Sequence, residues 1–131
     1  MQTKLANLVA SENALAELAQ ADVSARLSFT LALVLREVGN QLEAKRAAHQ
    51  KLLEKYGAPI AERRGTYDIA LNKRAAFERE YADLLDTDVT LTGIGKIRAS
   101  ALDAEGIKLS GSDAVALLWL VKEDMTPLFE E

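Results

Sequence analysis

The feature that most constrains this chain is one long helical segment, residues 22–57, which contains no proline and a single internal glycine, Gly39. Its apolar residues recur every three or four positions, the spacing that places side chains on one face of an α-helix. At 1.5 Å per residue this helix is roughly 50 Å long. Because a small core needs less, the sequence predicts packing on a partner helix or a second chain. The apolar stripe is Leu27, Leu31, Val34, Val38, Leu42, Ala48, Leu52 and Tyr56.

Both ends of the segment carry helix-terminus signals. Asp22 or Ser24 is suited to cap the start, because either side chain can accept a backbone N–H. Gly57 suits the left-handed residue that follows many helix ends. Lys51 and Lys55 complement the negative end of the helix dipole. The pattern therefore predicts a helix that ends at Gly57.

The two halves of the helix differ in character. Over residues 27–38 nearly the whole circumference is apolar, so this half is expected to be covered on several sides. From residue 41 onward only a narrow apolar stripe remains among charged side chains, so the second half is expected to project outward and meet a partner. The candidate partner-binding residues are Lys45, Ala48, His49, Leu52 and Tyr56.

The segment before the long helix, residues 5–20, predicts a first helix that is rich in alanine and leucine. Two starts are open for it, one near Thr3 and one at Ser11. Only a short link separates it from the long helix, so the two are expected to lie antiparallel or at a steep angle. Residues 1–57 therefore predict a helical hairpin whose first helix covers the apolar half of the second.

Residues 58–131 predict a small α+β subregion. Alternating apolar residues indicate strands at 66–71 and 88–93, and helical patterns follow at 73–86, where Asn72 is the expected cap, and at 113–123. Ser110 and Asp113 resemble a capping box, and the last helix is apolar enough to predict deep burial. The expected fold is α+β and mostly helical, with residues 1–131 forming one domain. It consists of an N-terminal helical hairpin with a long second helix, then a small sheet of short strands with two further helices.

Composition limits the classes of protein to which the chain can belong. Apolar residues make up 49% of its 131 residues and charged residues 27%, values that are ordinary for a globular protein. The absence of cysteine excludes disulfides, thiolate metal sites and cysteine nucleophiles. The longest apolar run, residues 31–35, is too short to span a bilayer, and the N-terminus lacks a signal-peptide pattern. We expect no membrane association.

The net charge of −4 is unevenly distributed. Residues 1–82 hold twelve Lys or Arg against ten Asp or Glu, whereas residues 83–131 hold four against ten. Acidic residues interleave with the basic ones at the end of the long helix, which indicates a solvated helix tip rather than a nucleic-acid patch. The basic residues there are Lys45, Arg46, Lys51, Lys55, Arg63, Arg64, Lys73 and Arg74.

No pattern of catalytic or metal-binding residues stands out. His49 is the only histidine and has no cysteine to join it in a zinc site. Asp83, Asp86 and Asp88 fit local backbone hydrogen bonding at a helix end and turn better than a divalent-metal site. Accordingly, we expect no enzyme activity, no cofactor, no metal and no small-molecule substrate.

Residues 91–106, LTGIGKIRASALDAEG, resemble the glycine hairpin of helix-hairpin-helix DNA-binding modules. Gly93 and Gly95 stand at the positions of its G-x-G turn, and Lys96 follows. The resemblance implies phosphate contacts through the backbone N–H groups of the turn, helped by the lysine. Two features oppose it: residues 88–92 alternate like a strand where the module has a helix, and this third of the chain is acidic.

The order of motifs along nearly the whole chain resembles a family of small bacteriophage and prophage proteins of unassigned function. The motif K-Y-G ends the long helix, F-x-x-E-[YL]-x-x-L-L marks the next helix, and I-K-L-S-x-x-D-x-x-x-L-x-x-L comes last. In this chain the motif residues are Lys55, Tyr56, Gly57, Phe77, Glu80, Tyr81, Leu84, Leu85, Ile107, Lys108, Leu109, Ser110, Asp113, Leu117 and Leu120.

The resemblance brings no catalytic residues. The two-character long helix and the missing site chemistry favour a non-enzymatic phage or prophage protein that acts through protein–protein contacts or self-association, in virion structure or assembly. We expect a location in the host-cell cytoplasm or in a virion. Two alternatives remain open at this point. One is binding of a nucleic-acid backbone through Gly93, Gly95 and Lys96, and the other is a small phage inhibitor of a host protein.

Overall fold

A computed structural model describes residues 1–60 and 65–124, and within these residues the chain forms six helices and six short strands. The predicted class, α+β and mostly helical, is confirmed. In chain order the elements are β1 (Gln2–Lys4), α1 (Leu5–Ala10), α2 (Glu12–Gln20), α3 (Ala25–Tyr56), β2 (Gly57–Pro59), β3 (Tyr67–Ile69), α4 (Leu71–Leu85), β4 (Asp88–Thr90), β5 (Ile97–Arg98), α5 (Ala99–Ala104), α6 (Gly111–Ala116) and β6 (Val121–Lys122).

The long helix forms as predicted, and its start is settled in favour of Ser24. The hydroxyl oxygen of Ser24 accepts a hydrogen bond from the N–H of Leu27 at 3.3 Å. The expectation for Gly57 is wrong, since this glycine is extended and begins β2. A Cβ there would lie 2.7 Å from the carbonyl oxygen of Leu53 and 3.0 Å from Cβ of Tyr67. Close backbone approach, rather than a left-handed turn, therefore favours glycine at this position.

The predicted first helix is two helices, because the chain breaks at Ser11. Ser11 is fully buried, and its hydroxyl donates a hydrogen bond to the carbonyl oxygen of Leu8 at 2.9 Å. Both helices pack against α3 and contribute Leu8 and Leu15 to the core. The break lets each short helix turn its own apolar side toward α3. The whole buried cluster is Leu5, Leu8, Ala14, Leu15, Leu18, Leu27, Leu31, Val34, Val38, Leu42, Val89, Leu91, Ile97, Leu102, Leu117 and Leu120.

Three separate two-stranded pairs stand in place of the single small sheet that the sequence predicts. β1 pairs antiparallel with β4, with Thr3 opposite Val89. β2 pairs antiparallel with β3, and β5 pairs parallel with β6. β1 has no counterpart in the sequence-based prediction, because its partner strand lies more than 80 residues away and leaves no local signal.

The helix that follows β3 starts earlier than predicted. Leu71 is its first residue rather than the end of a strand, and this side chain is 81% exposed. Ala70 occupies the N-cap position, so the expected capping role of Asn72 is wrong.

The last predicted helix is shorter and less buried than expected. The Ser110 hydroxyl accepts a hydrogen bond from the N–H of Asp113 and caps α6, as predicted, but α6 ends at Ala116. The chain then turns, and the carbonyl oxygen of Leu120 accepts the N–H of Ile97 at 2.8 Å, so that β6 can pair with β5. Leu117 and Leu120 are fully buried. The acidic end of the chain, residues 125–131, lies outside the described residues.

Candidate functional site

The second half of α3 does not project freely, because α4 packs against it. The prediction of an uncovered outward stripe is therefore wrong. Ala48 and Leu52 remain accessible at one edge, in an open depression of about 430 Å³ shared with Glu80 and Leu84 of α4. All five candidate partner-binding residues are partly buried, namely Lys45, Ala48, His49, Leu52 and Tyr56.

Aromatic rings hold α4 against α3. The ring of His49 lies 4.8 Å from that of Tyr81 and 6.1 Å from that of Phe77. Tyr56 meets Phe77 edge-on at 6.3 Å, and the ammonium of Lys45 lies 5.5 Å from the ring centre of Tyr81. Such ring pairs and cation–π contacts stabilise an interface beyond the apolar area that they bury. These residues thus join two elements of one chain.

The electrostatics of this cluster follow from its packing. Partial burial lowers the pKa of His49, and the charge of Lys45 lowers it further. A salt bridge joins Lys55 on α3 to Glu80 on α4 at 3.0 Å. The hydrogen bond between them raises the pKa of Lys55 and lowers that of Glu80. Several residues of the two motifs that end α3 and mark α4 therefore contact each other in this interface.

The first half of α3 leaves one side open, which corrects the expectation that it is covered on several sides. We define the outer face of α3 as Phe29, Ala32, Leu33 and Arg36. Phe29 is 67% exposed, Ala32 and Arg36 are exposed, and Leu33 is half-buried. These positions follow the spacing i, i+3, i+4 and i+7, which is typical of a helix face that docks on another helix or in a groove. The apolar residues were evident in the sequence, but their pattern did not separate interior from surface.

The glycine turn lies between strands rather than between helices. Gly93 has a φ of +76° and follows β4, whereas helix-hairpin-helix modules have a helix there. Gly95 and Lys96 reach a different neighbour, the first turns of α3. They line an open groove of about 550 Å³ together with Arg26 and Arg98. No local pattern could predict that Arg26 joins them, because it lies about 70 residues earlier in the chain.

Two of the three acidic residues that the sequence analysis weighed as a metal site, Asp86 and Asp88, form ion pairs with Lys4. The ammonium of Lys4 lies 3.0 Å from a carboxylate oxygen of Asp88 and 3.7 Å from one of Asp86. Within residues 1–60 and 65–124, no group of three or more His, Cys, Asp or Glu side chains could hold a metal ion. Where α2 meets α6, a hydrogen bond to the Asp113 carboxyl raises the pKa of Glu17, and the negative charge of Asp113 adds to the effect.

No helix in the described part of the chain is both long enough and apolar enough to cross a membrane. Arg63 and Arg64, two of the basic residues singled out from the sequence, lie outside the described residues. Comparisons with protein-family models, with curated proteins and with solved structures find no match.

Proposed function

We propose that this protein is a non-catalytic interaction protein that self-associates through the outer face of α3. The observation that carries the proposal is the exposure of Phe29, at 67%, beside Ala32 and Leu33 in the first turns of α3. Transfer of a phenylalanine side chain from water into an apolar contact contributes about 1.5–3 kcal/mol. A phenylalanine flanked by further apolar residues at helical spacing therefore favours association with another surface.

A second copy of the chain is the occupant that we favour. A two-fold interface brings the same patch together from both copies, so the patch must be complementary to itself. Arg36 and Glu37 lie side by side at the end of the outer face, where their ion pair has a separation of 3.9 Å. At that separation the pair is weak, and the exposed Arg36 is available to the opposite charge of a second copy. The outer face thus offers apolar area that ends in the exposed charge of Arg36, and Glu37, whose side chain is 19% exposed, lies beside it.

Because the sequence resembles bacteriophage and prophage proteins, virion structure or assembly is the setting that we propose for this self-association. An inhibitor of a host protein would use the same kind of apolar face with a different occupant. Measurement of the oligomeric state distinguishes these two uses, because only the first brings two copies of the chain together without any added partner.

The experiment is size-exclusion chromatography with light scattering at several protein concentrations. The single chain has a mass of 14.3 kDa, and we expect a concentration-dependent rise to twice that value. Phe29→Ser should shift the protein to the monomer. Leu71→Ser is the matched control, since Leu71 is even more exposed but begins α4, away from the outer face.

A wild-type protein that stays monomeric at all concentrations would contradict self-association. Equal effects of Phe29→Ser and Leu71→Ser would show that apolar exposure in general, and not the outer face, drives assembly. Circular dichroism of both variants checks that the helices are intact.

A further inference from the structure

Three basic side chains from two distant segments meet in the groove between the start of α3 and the stretch that leads into α5. Arg26 comes from α3, while Lys96 and Arg98 lie just before and within β5. Leu27 and Ile97, both nearly buried, form an apolar floor. We call this site the basic groove. Its volume of about 550 Å³ lies inside the range of roughly 300–1,000 Å³ that is typical of small-ligand sites.

We propose that the basic groove binds a phosphate group carried on an apolar or flat body, such as a nucleotide unit, free or within a single-stranded nucleic acid. Guanidinium groups bind phosphate oxygens through paired hydrogen bonds, and a lysine adds a point charge. The apolar floor offers a surface for the body attached to the phosphate. The open shape of the groove also suits a ligand that continues into solvent.

The charges of the groove favour an anion although the chain as a whole carries −4. Among the described residues that line the groove, Glu105 is the one carboxylate, against three cations. Both of its oxygens accept hydrogen bonds from Ser24, one from the N–H at 2.8 Å and one from the hydroxyl at 2.7 Å. Glu105 is therefore held at the start of α3, and its single negative charge leaves the lining with an excess of positive charge.

Among the salt bridges of the described residues, none involves Arg26, Lys96 or Arg98. Arg98 does lie near one carboxylate outside the lining: hydrogen bonds from Ser100 lower the pKa of Asp124, and the charge of Arg98 lowers it further. Elsewhere in the chain Lys4 and Lys55 do pair with carboxylates. Three cations around one concave surface, none of them in a salt bridge, lower the free energy of a bound phosphate. The reason is that like charges, which repel one another, gain a shared counter-charge.

The test measures binding at low salt to three probes: pyrophosphate, AMP, and a fluorescein-labelled strand of ten thymidines. Calorimetry follows the first two and fluorescence anisotropy the third. We expect the wild type to bind AMP, the strand or both, and to bind more weakly as salt is added. Binding of AMP assigns the groove to a free nucleotide, whereas binding of the strand alone assigns it to a nucleic-acid backbone.

The double variant Arg26→Gln with Lys96→Gln should weaken binding at least tenfold. The matched control is Lys73→Gln with Arg79→Gln, which removes the same charge from exposed positions of α4 and should change affinity much less. Glu105→Gln should tighten binding, since it removes the only negative charge in the lining.

Absence of binding to all three probes at low salt would overturn the proposal, as would an equal loss in the control pair. Binding of pyrophosphate alone would overturn the part of the proposal that concerns the attached body. If the double variant fails to fold by circular dichroism, Lys96→Gln alone decides the outcome, because Lys96 is exposed and lies outside the helices.

Discussion

Glu105 fastens the C-terminal end of α5 to the start of the long helix through Ser24, a residue 81 positions earlier in the chain. The Glu105 carboxylate accepts both the backbone N–H and the hydroxyl of Ser24. The same serine oxygen accepts the N–H of Leu27 and caps α3. The Ser24 side chain therefore caps its own helix and also forms a long-range contact with Glu105.

We expect Ser24→Ala to destabilise the protein by about 1–2 kcal/mol, because it removes the helix cap and one hydrogen bond to Glu105. Urea denaturation gives the free energy of unfolding. Ser28→Ala is the control: Ser28 is an exposed residue inside the same helix, where alanine has the higher helix propensity. Equal losses in the two variants would show that the cap contributes nothing.

The two glycines of the long-helix region should respond in opposite ways to alanine. Gly57→Ala places a Cβ 2.7 Å from the carbonyl oxygen of Leu53, so the backbone must shift, at a cost of about 1–3 kcal/mol. Gly39→Ala meets nothing within 4 Å inside α3 and should stabilise the protein by about 0.5–1 kcal/mol. Thermal melts of both variants check the signs. A stabilising Gly57→Ala would contradict the close contact between β2 and β3.

The pair of Glu17 and Asp113 should make stability depend on pH. A pKa raised in the folded state means that the folded protein binds the proton more tightly than the unfolded chain does. The stability that protonated Glu17 contributes is complete below the ordinary glutamate pKa of about 4.3. It is lost as the pH rises through the raised pKa. Glu17→Gln should therefore melt at a higher temperature than the wild type at pH 7, with the difference shrinking toward pH 4.

Glu12→Gln is the control for that pair, since Glu12 lies in the first turn of the same helix. There a negative charge is favourable to the helix dipole, so this variant should melt slightly lower than the wild type at pH 7. Parallel pH profiles for Glu17→Gln and the wild type would rule out the interaction with Asp113.

His49 should add a second pH dependence, of opposite sign. Burial and Lys45 lower its pKa, so the folded state binds the proton more weakly than the unfolded chain. Its contribution is complete above the ordinary histidine pKa of about 6.5 and is lost as the pH falls through the lowered value. His49→Phe keeps a ring against Tyr81 without a titrating group. Urea midpoints between pH 7 and pH 5 should fall less for this variant than for the wild type.

Patterns with local causes were predictable from the sequence. The stripe from Leu27 to Leu42 indicated a helix because its period is that of the α-helix, and Ser24 and Ser110 indicated caps because their oxygens bond an N–H three residues away. The alternation of apolar and polar residues over 88–93 indicated a strand with one inner face, and Val89 on that face is buried. Each of these inferences needs only a short window of chain.

Contacts between segments that are distant in the sequence could not be predicted in this way. The parallel pairing of β5 with β6 shortened the last helix, although the segment after Ala116 is as apolar as a buried helix requires. Basic residues that are distant in sequence, Arg26 and Lys96, share a groove only because the start of α3 lies beside β5. Such contacts depend on how whole helices and strands pack together. The hydrophobic periodicity within one element does not contain that information.

The sequence by itself determined that the chain would be mostly helical around one long helix, since hydrophobic period and capping act between residues a few positions apart. Tertiary structure alone decided which face of that helix stays open. Both the stripe from Leu27 to Val38 and the face that includes Phe29 and Leu33 are apolar in the sequence. Packing of α1 and α2 buried the first and left the second exposed, because the elements that pack on this half of α3 cover only one of its sides.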